Sequence, residues 1–199
     1  MTKKYNNPKA DWNRLRPDVV HAVGELHKLL DNEESAQDIL DAYLYTKKLL
    51  AESMKALVLS QLPTDCPAFH ELRSKLADEI QKQYGGKIPA KYLTVPYGSR
   101  THEILFAILL QHIREPVNAE FLRYSTKDSI HTERRIRELR GLGIEIDTDK
   151  ASGANVYTLQ SLDIATSLIP VVVKNNLRIK KASDQEKAEL LAVLGLEDD

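Results

Sequence analysis

VNAEFLRYSTKDSIHTERRIRELRGLGIEIDTDKASGANVYTLQ, residues 117–160, is the stretch on which the reading of the whole chain turns. Asn118 is a good N-cap for a short helix over AEFLRYS, in which Phe121 and Leu122 are expected to point inward. STKDS at 125–129 follows, a set of small polar residues that bond their own backbone and so favour a turn. Ser129 then caps a second helix, predicted from Ile130 to Leu142, with Thr132 and Glu133 in its first turn. Ile130, Ile136, Leu139 and Leu142 make one apolar stripe on it, while Arg134, Arg135, Arg137 and Arg140 populate the rest of the circumference. Gly141 and Gly143 stop that helix. IEIDT at 144–148 and VYTLQ at 156–160 alternate like short strands. DKASGAN at 149–155 reads as the loop between them, with Gly153 at its tip.

Helix, polar turn, Arg-dense helix and β-hairpin, in that order, predict a helix-turn-helix with a wing. The charge of the segment supports a polyanion partner. Between Arg123 and Arg140 six basic residues face three acidic ones, a local +3 in a chain whose net charge is -1. An α-helix fits the major groove of duplex DNA and reads base edges from its N-terminal end. Lys127, Ser129, His131, Thr132 and Arg135 are therefore the expected base-facing set, and Arg134 and Arg137 the expected phosphate holders. Lys150, Ser152 and Asn155 on the hairpin loop are placed to touch a sugar-phosphate backbone or an adjacent minor groove. Arg140 lies farther along and is expected to pair with Glu133 or Glu138. The competing reading is a solvated helix laced by i, i+4 ion pairs such as Glu133 with Arg137.

TERRIRELRGLGIEI, followed by a G-x-x-x-Y-x-L strand from Gly153 to Leu159, resembles the winged-helix modules attached to type II restriction endonucleases and related HNH-type nucleases. Those modules carry a similar Arg-Arg-x-Arg-Glu-Leu-Arg helix with a Gly-ended turn and a wing. The resemblance covers residues 117–160, under a quarter of the chain. It implies sequence-specific binding of double-stranded DNA in a restriction or phage-defence system.

Working outward, ILFAILL at 104–110 is apolar nearly all round and predicts a buried helix from Ser99 to about Ile113. His102 and His112 have no carboxylate partner evident in sequence and are not read as catalytic. Upstream, Pro17 and Asp18 suit the first turn of a helix over 17–30, and residues 1–12 read as a polar terminus. A longer helix is predicted from Glu33 to Gln61, with a heptad seam of Ala36, Leu40, Tyr43, Lys47, Leu50, Met54, Leu57 and Gln61. That seam packs on the preceding helix or on a second subunit. PTDCP at 63–67 breaks it, and Phe69, Leu72, Leu76 and Ile80 mark a further amphipathic helix. The Gly-, Pro- and Tyr-rich stretch 84–99 is taken as the boundary between two parts. After the wing, LDIATSLIPVVVK reads either as a helix broken at Pro170 or as a buried strand at IPVVV. Ser183 and Glu186 form a capping box for a terminal helix ended by Gly195. Lys174, Arg178, Lys180 and Lys181 make a second basic cluster, a solvated face or an extension of the phosphate track.

Cys66 is the single cysteine, so one chain has neither a disulfide nor a Cys-based zinc site, which fits a reducing cytoplasm. The N-terminus lacks the apolar stretch of a signal peptide, and the longest apolar run, seven residues, is far short of the ~20 that span a membrane. Acid-and-Lys spacings such as Glu25 to Lys28 and Glu79 to Lys82 fall on amphipathic helices rather than on strands. A Gly-rich nucleotide loop, nucleophile elbow or His-Asn-His arrangement is not evident. The sequence thus predicts a mainly α protein: a helical region over 14–84 for dimerisation or docking, a winged helix-turn-helix over 97–165 and a helical extension over 166–199. The expected role is non-catalytic, sequence-specific binding of double-stranded DNA, without metal or cofactor, as a component of a restriction or phage-defence system or as a transcription regulator, in a homodimer or a defence complex. The rival expectation is a protein–protein adaptor serving a nuclease or ATPase.

Overall fold

The structure, a computed structural model, describes residues 7–126, 132–151 and 153–196. It is mainly helical, with one small antiparallel sheet, and it divides into two compact units, 1–63 and 64–199. The boundary expected at 84–99 falls inside the second unit. The helix that precedes it buries Phe69, Leu72, Leu76 and Ile80, and the Phe69 ring lies 5.3 Å from that of Phe106 of that unit, tilted by 39°. No helix of the described residues is long and apolar enough to cross a membrane.

The first unit is an antiparallel pair, α1 (Pro8–Asp31) and α2 (Ala36–Gln61). α1 starts nine residues before the expected Pro17, because Asn7 caps it by accepting from the Lys9 and Ala10 amides at 3.1 and 3.2 Å. Pro17 therefore lies inside the helix, where it removes one backbone donor, and packing of the helix on α2 outweighs that loss. α2 begins behind the Ser35 cap. It turns Ile39, Ala42, Thr46, Leu49, Ser53 and Ala56 toward α1, with the Thr46 hydroxyl donating to the Ala22 carbonyl at 3.1 Å. This is a heptad seam, but not the expected one. Leu40, Tyr43, Leu50 and Met54 lie on the solvent side, 37–48% exposed. Two apolar stripes share the helix, and the one with small residues allows the two backbones to come close.

In the second unit α3 (Pro67–Tyr84) leads through a 3-10 turn at Ala90–Tyr92 to α4 (Arg100–Gln111). Then come β1 (Val117–Asn118), α5 (Ala119–Ser125), α6 (Thr132–Arg140), β2 (Ile144–Ala151), β3 (Ala154–Ile164), α7 (Ile169–Ile179) and α8 (Asp184–Leu194). α4 is the buried helix that its apolar run predicts, with Leu105, Phe106 and Leu109 fully enclosed. Ile136, Leu139 and Leu142 are also enclosed, as the stripe on α6 requires. Phe121 is an exception: α5 is seven residues long, Ala119, Leu122 and Ser125 take its inner side, and Phe121 stays 37% exposed. Asn118 caps α5 by accepting from the Glu120 amide at 2.7 Å. Gly143, at φ +85°, makes the turn out of α6, and a Cβ there would sit 3.2 Å from the Ala165 carbonyl oxygen.

The sheet has the order β1-β3-β2. The hairpin is longer than predicted: β2 and β3 pair continuously from Ile146↔Leu159 to Ala151↔Ala154, so most of the expected 149–155 loop is ladder. β1 was not expected; it pairs Val117 with Tyr157 and Asn118 with Val156. IPVVV is helix, not strand, because Pro170 sits in the first turn of α7, where its missing N–H costs nothing. α8 follows its Ser183 cap, the hydroxyl accepting from the Glu186 amide at 3.3 Å, while the Glu186 carboxylate goes to Lys91 at 2.9 Å instead of completing the expected box, and the helix ends on Gly195 at φ +67°.

Candidate functional site

α6 is positioned by both its ends and its middle. Thr126 closes α5, and its hydroxyl meets that of Thr132, the first residue of α6, at 3.0 Å, which holds the end of one helix to the start of the next. In the middle, Glu138 is the hub. Its Oε2 accepts from Arg135 Nη1 at 2.6 Å and lies 2.9 Å from His102 Nε2 on α4, while its Oε1 accepts from Arg134 Nε at 3.1 Å. His102 Nδ1 accepts from the Ser99 amide at 3.3 Å, which leaves the ring N–H on Nε2 to donate to Glu138. Burial pushes the His102 pKa down, and this outweighs the opposing pull of Glu138. Burial pushes the Glu138 carboxyl up, but the bonds from Arg135, His102 and Arg134 overcome it and hold the group below its ordinary range.

This hub divides the expected site. Arg135 is half-buried and tied to Glu138, and Thr132 is 1% exposed, so neither is free to read a base as the sequence suggested. Lys127, Ser129 and His131 fall outside the described residues, as does Ser152. Arg134 and Arg137 are exposed. Glu133 is drawn away to Arg123 rather than to Arg137, so Arg137 keeps no carboxylate partner among the described residues. Arg140 turns toward the hairpin, donating to the Thr148 hydroxyl at 3.4 Å, and not to Glu133 or Glu138. Lys150 and Asn155 are exposed and lie directly opposite each other on the hairpin.

Arg134 and Arg137 open onto a groove of about 710 Å³ whose other wall is α7. Tyr97, Glu138, Gly141, Asn175, Arg178 and Ile179 complete its lining. Tyr97 reaches it from a loop held by Arg73, which donates to the Val95 carbonyl at 2.8 Å and to that of Pro96. Tyr97 itself adopts φ +58°, a left-handed conformation that a bulky residue takes only when its surroundings enforce it. Its ring lies 5.8 Å from that of His102. Sequence reasoning named Arg178 only within a diffuse basic cluster, and missed Tyr97 and Asn175 as groove residues. No local signal marks them, since α6 and α7 meet through the tertiary fold. Three guanidiniums, an amide and a phenol around one trough offer many donors and only one carboxylate, which suits a phosphate-bearing chain.

Other residues singled out by sequence lie elsewhere. Cys66 sits at the N-cap of α3, 4% exposed, and burial pushes its thiol pKa up, away from a reactive thiolate. Glu25 and Lys28 pair at 2.7 Å, and Glu79 and Lys82 at 3.1 Å, each on a helix surface. His112 has an exposed carboxylate neighbour after all, Glu115 at 3.4 Å.

Comparison with known families places residues 103–161 in a match to the KpnI N-terminal domain, a restriction-endonuclease-related module. The matched stretch runs from the first turn of α4 into β3, and so contains α5, α6 and Glu138 with its two arginines, while His102 lies just before it. No curated protein and no solved structure matches the chain. The match links this part of the chain, under a third of its length, to restriction systems.

Proposed function

We propose that residues 97–165 form a winged helix-turn-helix that binds double-stranded DNA, as a non-catalytic component of a restriction or phage-defence system. The observation that carries this reading is the trough between α6 and α7, where Arg134, Arg137 and Arg178 converge on open solvent. In this reading the phosphate backbone runs along that trough and Lys150 and Asn155 touch it from the hairpin. The Arg135 side chain is a strut for the α6 surface rather than a base reader. A second copy of the chain seats on the outward seam of α2, where Leu40, Tyr43, Leu50 and Met54 continue a heptad in solvent.

Fluorescence anisotropy with a pool of random duplexes tests the proposal. Binding is expected to weaken steeply with salt, because each phosphate neutralised releases counterions. The triple variant R134A/R137A/R178A is expected to flatten the log–log salt dependence by roughly 0.9 per lost phosphate contact, with the fold intact by circular dichroism. Unchanged duplex affinity in that variant removes the trough from the interface. Failure of the wild-type chain to bind any duplex, together with stable capture of a nuclease or ATPase subunit, favours the adaptor reading instead.

A further inference from the structure

We infer that Asp65, His70 and Glu103 form a binding site for a divalent transition-metal ion of the zinc class. The inference stands apart from the DNA interface and does not depend on it. Each residue offers one ligand atom, and the three atoms lie within 4.8 Å of one another. His70 Nε2 is 2.8 Å from Asp65 Oδ1 and 3.3 Å from Glu103 Oε1. A single ring nitrogen, with one proton or one lone pair, thus faces two carboxylate oxygens at once. Around zinc, with ligand bonds of about 2.0–2.1 Å, tetrahedral neighbours stand roughly 3.3–3.4 Å apart. The 3.3 Å spacing to Glu103 matches that set, the 2.8 Å spacing to Asp65 opens by about half an ångström to admit the ion, and the exposed Asp65 side chain can turn to set its distance from Glu103.

The frame behind the ligands is built. Glu103 lies in the first turn of α4, 8% exposed. Arg100 Nη1 donates to its Oε2 at 2.7 Å, and the Cys66 amide donates to its Oε1 at 2.9 Å. These bonds orient the carboxylate and leave Oε1 turned to His70, as outer-shell partners of a metal ligand do. His70 is set by the start of α3, and Asp65 by the segment just before it. The side chains of Asp65 and His70 are 66% and 55% exposed, so solvent reaches the fourth position. Three protein ligands with one open position describe an exchangeable site rather than a closed structural one. One imidazole with two carboxylates favours zinc or manganese over calcium, which takes six to eight oxygens. Bound there, the ion clips the segment before α3 to α4.

The test uses the full chain, stripped with chelator and titrated with zinc chloride by calorimetry and thermal melting. One zinc per chain is expected, with Tm rising by about 5–10 °C at a hundredfold excess over Kd. H70A and D65N, both at exposed positions, should abolish uptake and the shift. H27A, which removes a separate exposed His–carboxylate pair on α1 (His27–Asp31, 3.2 Å), should leave both unchanged. H70Q replaces H70A if the latter loses its circular dichroism spectrum. Absence of uptake by the wild-type chain, or equal uptake by wild type and the His70 variant, overturns the site and leaves His70 as a hydrogen-bonding bridge between two carboxylates.

Discussion

At the scale of single residues the fold places its most consequential decision at Glu138. A carboxylate 10% exposed in its side chain holds two arginines of its own helix and the buried imidazole of another. E138Q keeps the shape but weakens all three bonds and leaves a buried His102 donor poorly matched. A loss of about 1–3 kcal/mol is expected, read as a lower midpoint in chemical denaturation. The pH dependence has a definite sign. The folded pKa lies below the ordinary value of 4.5, so the stabilisation is full above that value and disappears as pH falls through the folded one. Wild type should therefore lose stability in acid more steeply than E138Q, and denaturation midpoints between pH 3 and 6 would show it. Parallel curves would argue against the hub. Of this hub only the i, i+4 pair Arg134–Glu138 is of the kind that the sequence allowed; the contact with His102 was not legible. His102 and Glu138 stand 36 positions apart, and periodicity carries no information on which polar side chains meet across a core.

Elements were legible where a local rule fixes them. The apolar stripe of α6, the all-round apolar α4 and the Asn118 and Ser183 caps each rest on residues within a few positions of one another. What misled was competition between equal local signals. α2 carries two heptad stripes, and spacing alone cannot say which one meets α1. The small residues Ala42, Thr46, Ser53 and Ala56 decide it by close approach, at the cost of burying the Ser53 hydroxyl, which among the described residues has no hydrogen-bond partner. S53A is expected to raise stability by about 0.5–1 kcal/mol, because it removes an unsatisfied polar group and improves helix propensity. A lower melting temperature would show that the hydroxyl is solvated after all. The exit of α6 makes the opposite prediction. G143A places a Cβ at φ +85° against the Ala165 carbonyl and should cost about 1–3 kcal/mol, measurable by urea denaturation. Likewise the hairpin was foreshortened in the sequence reading because Asp149, Lys150 and Asn155 are poor strand formers. Cross-strand pairing overrides that weak preference.

At the scale of the whole molecule, the division between Pro63 and Thr64 separates the candidate interface from the α1–α2 pair. Residues 64–199 expressed alone should melt in one cooperative transition and still bind duplex, as a monomer in sedimentation. They should lose the added affinity that a second copy on α2 would contribute. A fragment that aggregates or melts without cooperativity would mean that the two units depend on each other for folding. The sheet has a consequence of another kind. β3 is its middle strand, and its two partners reach it by unequal routes. β2 arrives across a tip of two residues, whereas Val117 must come from 40 positions before Tyr157, with α5 and α6 in between. Loop-closure entropy therefore sets an order of assembly: the hairpin zips early, and the two-residue strand docks only once both helices have shortened the path. Because Asn118 belongs to that last strand and also caps α5, completing the sheet and locking the helix ahead of the arginines become one late event, shared between distant parts of the chain.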